Sequence, residues 1–406
     1  MKILIISAAF PPMHAGEASN TYFLAKRLAA RKVEVHVLTS EGNTGGADSG
    51  IIVHPIMRNW SWREFFRMRG FIRRCSPDAV LLMYLGKMYG FHPMITFAPT
   101  ISKRVLPHVP FVTRFENVFV GADPAKFSWM SRVVRRVVVQ WAGPSNVAYS
   151  EGTLLRDSNH LILLCERHRD ALTENWPAVH RKALIIPPPP NVLLCSANPT
   201  TARQRGRHKL GISPESFVIA FLGYIYPAKG VDTLLRAFER VCRRRSDVRL
   251  LFIGGRCDLD IAVDVAYLDM VERLSQQLNI DDKVTWTGAF NPASEEASMY
   301  LYAADVCALP FVVGAQMNNS SLASVAVHGI PIITTKGQRI EAPLKDQENA
   351  LLCPPNDPDA LASAIDSLIT TPELRERLGR GATELAQEWF SWERALDRTM
   401  QSLQRS

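Results

Sequence analysis

Short apolar runs alternate with amphipathic stretches along the first half of the chain. The predicted strands are KILIIS (2–7), VEVHVLTS (33–40), PDAVLLMY (77–84), PFVTRF (110–115), HLILLC (160–165) and ALIIP (183–187). A helical stretch, NTYFLAKRLAARK (20–32), separates the first two. Apolar strands joined by helical crossovers predict a parallel sheet that is covered on both faces.

The alternation stops between residues 188 and 207 and then restarts. That interval is rich in proline, polar and basic residues, which is typical of a linker. The strands predicted after it are FVIAFLG (217–223), VRLLFIGG (248–255), VTWTG (284–288), ADVCALPF (304–311) and PIITT (331–335). We therefore predict two doubly wound α/β domains, residues 1–195 and 196–385, and a last helix over 386–406. Ligands bind such domains in the crevice at the carboxyl ends of the strands.

Composition narrows the class of protein. A chain of 406 residues exceeds the size of a single hydrophobic core, and 47% hydrophobic with 21% charged residues is ordinary for a globular protein. The net charge of +8 favours an anionic partner such as nucleic acid, anionic lipid or a phosphorylated substrate.

No run approaches the roughly 20 apolar residues of a spanning helix. We expect a cytoplasmic protein that is soluble or attached to a membrane face.

A lysine stands at the start of a well-marked helix in the stretch FLGYIYPAKGVDTLL (221–235). The apolar stripe of this helix consists of Val231, Leu234, Leu235, Phe238 and Val241. The N–H groups and the dipole at a helix N-terminus favour a phosphate, and Lys229 adds a full positive charge. The alternative is that Lys229 is a solvated loop residue.

Two other loops follow predicted strands and open helices. Gly16, in FPPMHAGEAS (10–19), can let the backbone approach an anion, or it can simply serve the geometry of a turn. The polar loop from Gly314 to Ser321 precedes another helix, which Ser320 or Ser321 could cap. The remaining N–H groups there would be available to a phosphate or to sugar hydroxyls. His328 on the same helix is interpreted as a packed or surface residue, not as a catalyst.

These segments, in this order, resemble the retaining GT-B glycosyltransferases of family 4. The first loop is similar to the family's PP-x-x-G-G pattern, with Ala15 and Gly16 in place of the glycine pair. LGYIYPAKGVDTLLRAF (222–238) resembles the G-R-x-x-x-x-K-G stretch that opens the second domain. HGIPIITT (328–335) and NALLCPPNDPDALASAI (349–365) resemble the segment after the donor loop, and FSWERALDRTM (390–400) resembles the family's terminal helix.

The resemblance implies an α/β GT-B fold: two Rossmann-like doubly wound domains with an interdomain cleft, and a terminal helix that crosses back to the first domain. It implies retaining, metal-independent transfer of a hexosyl group from a nucleotide diphosphate sugar, without a cofactor. Lys229 would stabilise the departing diphosphate and is the catalytic residue of this hypothesis. The implied donor-binding residues are Gly16, Tyr224, Lys229, Gly288, Gly314, Gln316, Asn319, Ser320, Ser321 and Leu322. His14, Arg114 and Glu116 are expected on the acceptor side.

The chain departs from the family pattern at four positions. Tyr224 stands where the family has an arginine beside the donor phosphates. Gln316 and Ser324 replace the family's pair of glutamates, and Phe115 replaces its acceptor-side histidine. The family's acceptor is thought to attack on the face that the leaving group departs from, so no dedicated nucleophile is required. These departures affect how the donor's hydroxyls are held; Gln316 can still hydrogen-bond to one.

Two stretches, residues 60–74 and 126–141, mix aromatic side chains with arginines. A basic amphipathic helix with Trp and Phe suits an anionic membrane surface. The alternative is an ordinary domain helix with solvated arginines. Nucleic-acid binding fits less well, because the basic residues are spread over many elements and no recognisable binding module occurs.

The sequence therefore predicts a glycosyltransferase that acts on a lipid-linked or cell-envelope glycan, in polysaccharide biosynthesis, at the inner face of the cell membrane. A GT-B sugar-nucleotide epimerase is one alternative; it needs catalytic carboxylates and a histidine, and Glu116 is the one carboxylate placed in the cleft. A non-catalytic binding protein of the same fold is another. An NAD-dependent oxidoreductase is disfavoured, because neither first turn has the G-x-G-x-x-G fingerprint. The donor base, the sugar, the acceptor and the linkage stay open at this point.

Overall fold

The computed structural model describes residues 1–46, 50–118, 152–259 and 262–404. The chain divides into two compact units. One comprises residues 1–13, 17–187 and 393–406, and the other comprises residues 14–16 and 188–392. The division falls after Pro187, whereas the sequence boundary was set after residue 195. The terminal segment that groups with the first unit begins at Glu393, not at residue 386.

The first unit contains a parallel sheet of seven strands in the order β3-β2-β1-β4-β5-β6-β7. The strands are β1 (Lys2–Ile6), β2 (Glu34–Ser40), β3 (Ile51–Met57), β4 (Ala79–Tyr84), β5 (Phe111–Phe115), β6 (His160–Leu163) and β7 (Ala183–Ile185). Residues 3–6 of β1 and all of β4 and β5 are buried. Continuous apolar strands of this kind are typical of a sheet covered on both faces.

Helices connect these strands. They are α1 (Gly16–Ala30), α2 (Phe65–Cys75), α3 (Ala98–Val105), α4 (Gly152–Asp157), α5 (Glu166–Asn175) and α6 (Val179–Lys182). Residues 60–74 fall mainly on α2 and on a 3-10 turn just before it, Trp62–Glu64. The other predicted basic helix, 126–141, lies outside the described residues.

The second unit contains a parallel sheet of six strands in the order β10-β9-β8-β11-β12-β13. The strands are β8 (Phe217–Leu222), β9 (Val248–Ile253), β10 (Val284–Trp286), β11 (Val306–Leu309), β12 (Ile332–Thr335) and β13 (Leu351–Cys353). The chain winds outward from β8 through β9 to β10, and then returns to place β11 on the other side of β8. The strand order therefore reverses between β8 and β11, which is the position where doubly wound sheets bind ligands.

The helices of this unit are α7 (Pro199–Lys209), α8 (Val231–Cys242), α9 (Ala262–Gln277), α10 (Glu296–Ala303), α11 (Ser320–Val327), α12 (Pro358–Thr370) and α13 (Pro372–Trp389). The last helix, α14 (Trp392–Gln404), follows α13, and in the first unit its Glu393 and Asp397 form ion pairs with Arg31. The stripe predicted on α8 is confirmed, because all five of its apolar side chains are fully buried.

The prediction of a linker over residues 188–207 is wrong for its second half, which forms α7. Asn198 caps this helix, accepting a hydrogen bond from the Thr201 N–H at 2.9 Å. Arg207 is buried, and its guanidinium is paired with the Asp305 carboxylate at 2.8 Å. The sequence pattern indicates a linker here because Asp305, the carboxylate that neutralises Arg207, lies far along the chain.

Candidate functional site

Three residues meet at the carboxyl end of β8, where the strand order reverses. Gly223 directly follows β8, and a Cβ atom built on it would lie 2.9 Å from Ser321 Oγ and 3.8 Å from Lys229 Nζ. The Lys229 amine and the Ser321 hydroxyl therefore both lie beside Gly223, whose backbone carries no side chain. We call Gly223, Lys229 and Ser321 the switch-point cluster.

A tight turn brings Lys229 to this position. The residue ends a short 3-10 turn, Pro227–Lys229, and Gly230 follows in the left-handed conformation at φ 65°. A Cβ atom at Gly230 would lie 2.1 Å from the carbonyl oxygen of Pro310, so the backbone can pass only without a side chain. Glycine at residue 230 is thus a steric requirement of the turn that places Lys229 just before α8.

Lys229 is buried, with only 7% of its surface exposed. Its ammonium lies over the rings of Phe311 and Tyr226, 4.8 and 5.4 Å from their centroids, within the range of cation–π attraction. These contacts hold the side chain in a fixed direction. The alternative of a solvated loop lysine is therefore wrong.

The loop before α11 is fixed by contacts of its backbone. Gly314, at φ 89°, packs against Gly337 so closely that a Cβ atom would lie 2.2 Å from the Gly337 nitrogen. The Ala315 N–H donates to the Thr335 carbonyl at 2.8 Å, and the Asn319 amide Nδ2 donates to the Gln316 carbonyl at 3.1 Å. The loop therefore enters α11 with a defined conformation.

The first turn of α11 offers N–H groups to a ligand. An α-helix gives its first N–H groups no acceptor within the helix, and Asn319 at the cap position makes no side-chain capping bond. Ser320 is half-buried, and Ser321 is buried with its hydroxyl on the Gly223 backbone. The side chain of Leu322 is fully buried in the core, so only its N–H is available to a ligand.

Glycines line the neighbouring strand ends. Gly254, at φ 122° after β9, approaches Gly223 so closely that a Cβ atom would lie 2.3 Å from the Gly223 carbonyl oxygen. Gly288, at φ 74° after β10, pairs with Gly254 through an isolated bridge and has open space where a Cβ would stand. Tyr224 follows Gly223 and is half-buried. Gly223 and Gly254 were not among the predicted site residues, although a glycine follows the strand in both FLG (221–223) and FIGG (252–255).

The two positions of the family's glutamates have different surroundings. Gln316 lies on the loop and is partly exposed. Ser324 is fully buried, and its hydroxyl donates to the Asn191 side-chain oxygen and accepts the Asn191 N–H, both at 3.1 Å. Ser324 thus attaches the segment that follows residue 187 to α11, and its hydroxyl is engaged by Asn191 both as donor and as acceptor.

His328 belongs to a buried hydrogen-bond chain. The Cys195 N–H donates to Ser298 Oγ at 2.9 Å, Ser298 Oγ lies 2.7 Å from His328 Nε2, and His328 Nδ1 lies 2.6 Å from the Ser324 carbonyl. A neutral imidazole satisfies this chain if Nδ1 carries the proton. Burial lowers the pKa of His328 to about 4, which favours the neutral form. The interpretation of His328 as a packed residue therefore agrees with its surroundings.

Acid is expected to destabilise the fold through His328. Its folded pKa, about 4, lies below the ordinary value near 6.5, so between these pH values the unfolded chain binds the extra proton. The stabilisation that comes from neutral His328 is fully present above pH 6.5. As the pH falls to 4, its contribution to the free energy of unfolding decreases by about 3 kcal/mol. The pH dependence of the urea unfolding free energy should be shallower in His328→Gln than in the wild type. An identical slope would contradict the neutral histidine.

In the first unit, the predicted acceptor-side residues Arg114 and Glu116 form a buried ion pair at the end of β5. Arg114 Nε lies 2.8 Å from Glu116 Oε1, and Asn20 of α1 donates to the other carboxylate oxygen at 3.5 Å. Phe115, between them, is fully buried. A buried charge pair is costly to desolvate, and removal of either partner would leave the other charge buried without its counter-ion.

The remaining two predicted residues lie in the segment 14–16, which groups with the second unit. The His14 N–H donates to the Asp258 carboxylate at 2.7 Å, and the His14 ring Nδ1 lies 3.4 Å from the same oxygen. Gly16 is the first residue of α1, and a Cβ atom on it would meet nothing within 4 Å. No steric constraint at this position therefore requires glycine.

Within residues 1–46, 50–118, 152–259 and 262–404, no group of three or more His, Cys, Asp or Glu side chains is arranged to hold a metal ion. The polar groups of the switch-point cluster are an amine, a hydroxyl and backbone N–H donors. Such a set can bind an anion and stabilise negative charge that develops on it.

Solved structures share this architecture over the whole chain. Anabaena HepE, in a crystal structure with UDP and glucose, superimposes with a TM-score of 0.73 at 16% identity, and 99% of each chain is covered. WaaG, described as a glycosyltransferase involved in lipopolysaccharide biosynthesis, gives 0.63 at 16% identity over 98% of this chain and 99% of that one. The chain therefore has the GT-B fold, with two parallel-sheet, Rossmann-like domains, as predicted.

The second unit also matches a family model. Residues 202–385 match the model described as "Glycosyl transferases group 1". A D-inositol 3-phosphate glycosyltransferase of Segniliparus rotundus is 28% identical over 251 residues, which is 61% of this chain and 52% of that protein. The chain thus spans about half the length of this relative.

Proposed function

We propose that this protein is a retaining glycosyltransferase that moves a hexosyl group from a nucleotide diphosphate sugar to a lipid-linked or cell-envelope glycan. The match of residues 202–385 to the group 1 glycosyl transferase model supports sugar transfer, and the UDP bound to Anabaena HepE supports a nucleotide donor. WaaG, whose fold is similar, supports an envelope acceptor. Neither an epimerase nor a non-catalytic binder is favoured by an observation at the site.

The observation that carries the proposal is the convergence of Lys229 Nζ and Ser321 Oγ on Gly223 at the reversal of strand order. The departing diphosphate gains negative charge as its bond to the sugar breaks. A fixed ammonium and fixed N–H donors stabilise that charge without reorganising, and the chemistry then requires no metal ion. Gly288, Gln316, Asn319 and Ser320 are proposed to bind the rest of the donor.

A panel of UDP, GDP, ADP and TDP sugars tests this function. A donor at one hundred times its dissociation constant should add about 2.7 kcal/mol to the free energy of unfolding. With a suitable acceptor, release of the free nucleoside diphosphate should continue in EDTA, and NMR should show that the product keeps the donor's anomeric configuration. Stabilisation without any release would favour a binding protein, whereas interconversion of the donor sugar would favour an epimerase.

A membrane surface is the partner that we propose for the first unit. No helix in the described part of the chain is long and apolar enough to cross a membrane. On α2 and the turn before it, Trp62 and Phe66 expose 43% and 76% of their surfaces. Arg69 and Arg73 are exposed and follow at helical spacing on the same side. Aromatic side chains beside arginines fit an interface of anionic lipid headgroups.

Replacing Arg69 and Arg73 by glutamine is expected to weaken binding to phosphatidylglycerol vesicles roughly 30-fold at low salt, because each arginine contributes about 1 kcal/mol at an anionic surface. Phe66→Ala should weaken it further. The matched control replaces two exposed arginines of the second unit, Arg377 and Arg380, by glutamine. Co-sedimentation measures binding. Equal losses in the two double variants would mean that only net charge matters and would exclude the α2 surface.

A further inference from the structure

We propose that Glu341 is a positioning residue, which fixes the loop of residues 314–319 and thereby the start of α11 beside Lys229. This inference rests on the proposed donor site. It assigns a role to a carboxylate that the motif comparison did not identify.

Glu341 lies in the segment after β12 and is buried, with 8% of its surface exposed. Its Oε2 accepts the backbone N–H of Met317 at 2.7 Å, and Met317 is itself buried. This distance is that of a well-formed N–H to oxygen hydrogen bond. The bond therefore holds the middle of the loop.

Two backbone contacts attach the beginning of the same loop to the end of β12 and to the segment that follows it. The Ala315 N–H donates to the Thr335 carbonyl, and Gly314 packs directly on Gly337. These contacts stop short of α11, whose first residue is Ser320. Glu341 extends the attachment to Met317, three residues before the helix begins. The orientation of Ser321 towards Gly223 therefore depends on this carboxylate.

The position of Glu341 also bears on the missing family glutamate. The resemblance places that glutamate at residue 316, where this chain has Gln316. Glu341, from another part of the sequence, places its carboxyl group beside the neighbouring residue, Met317. There it accepts the hydrogen bond of the Met317 backbone N–H. The Glu341 carboxyl group thus supports the loop, while the neutral amide of Gln316 is left for the donor.

Hydrogen exchange tests the anchoring without any nucleotide. Glu341→Ala should raise amide exchange at Met317 about tenfold or more, because the protecting bond is lost. Glu341→Gln keeps an acceptor oxygen and should restore most of the protection. The matched control is Asp346→Ala, since Asp346 in the same segment accepts the Leu352 N–H at 2.8 Å. It should raise exchange at Leu352 and leave Met317 protected. Unchanged exchange at Met317 in Glu341→Ala would overturn the inference.

Calorimetry with UDP tests the consequence for the site. The dissociation constant should rise about tenfold in Glu341→Ala, recover in Glu341→Gln and stay unchanged in Asp346→Ala. Equal weakening by Glu341→Ala and Asp346→Ala would mean a general loss of structure and would overturn the positioning role. If wild-type protein binds none of the four nucleoside diphosphates, the proposed function fails, and the exchange experiment alone then decides whether Glu341 anchors the loop.

Discussion

Lys229→Ala is expected to reduce sugar transfer about 10²- to 10³-fold, the usual cost of removing one fixed donor that stabilises transition-state charge. It should also remove most of the stabilisation that a saturating nucleoside diphosphate gives to the wild type. The reason is that the buried ammonium lies beside Gly223 and is held by the rings of Phe311 and Tyr226. Turnover and thermal unfolding with and without nucleotide measure the two effects.

The control for this variant is Lys345→Ala, which removes an exposed lysine paired with Glu348 in the same unit. It lowers the net charge by the same amount and should keep both turnover and nucleotide stabilisation. Lys229→Met retains the length of the side chain without its charge, and should behave like the alanine variant. If every nucleotide of the panel stabilised Lys229→Ala as much as it stabilises the wild type, the phosphate role of Lys229 would be contradicted.

Gly223→Ala is expected to weaken UDP binding at least about tenfold and to lower the free energy of unfolding by about 1–3 kcal/mol. Its φ of 137° is a conformation that residues with a side chain rarely adopt, and the added methyl group would meet Ser321 Oγ at 2.9 Å. The methyl group would also occupy space beside Lys229 Nζ. Calorimetry and urea unfolding separate the loss of affinity from the loss of stability.

Gly211→Ala is the matched control, because Gly211 also has a positive φ, of 64°, but open space around its Cβ position. It should cost about 1 kcal/mol of stability and leave UDP affinity unchanged. Wild-type affinity in Gly223→Ala would show that the ligand does not approach this backbone, and the switch-point cluster would then not be the phosphate site.

The strands and the helix after Lys229 could be predicted from the sequence because their signals are local. The stripe of α8 repeats at helical spacing, and the buried strands are continuous apolar runs. The strands β3 and β13 were missed, since Ile51–Met57 is buried only at its two ends and Leu351–Cys353 is too short to show a pattern. The helix α7 was missed because two of its arginines, Arg203 and Arg207, are neutralised by Asp305, which lies far along the chain.

Of the candidate site, the proximity of Lys229 and Ser321 was predicted from the resemblance, which assigns both residues to one diphosphate, and not from the local patterns. This proximity depends on β11 lying next to β8 in the strand order of the completed sheet. Gly223 was given no role of its own, because only the approach of Ser321 gives this glycine a function. Leu322 was assigned to donor binding, yet its position in the helix directs its side chain into the core.

A crystal structure with UDP bound tests the central claim most directly. The β-phosphate oxygens should lie about 3 Å from Lys229 Nζ and from Ser321 Oγ, at the distance of charge-assisted hydrogen bonds. A diphosphate bound elsewhere in the protein, out of contact with both side chains, would contradict it.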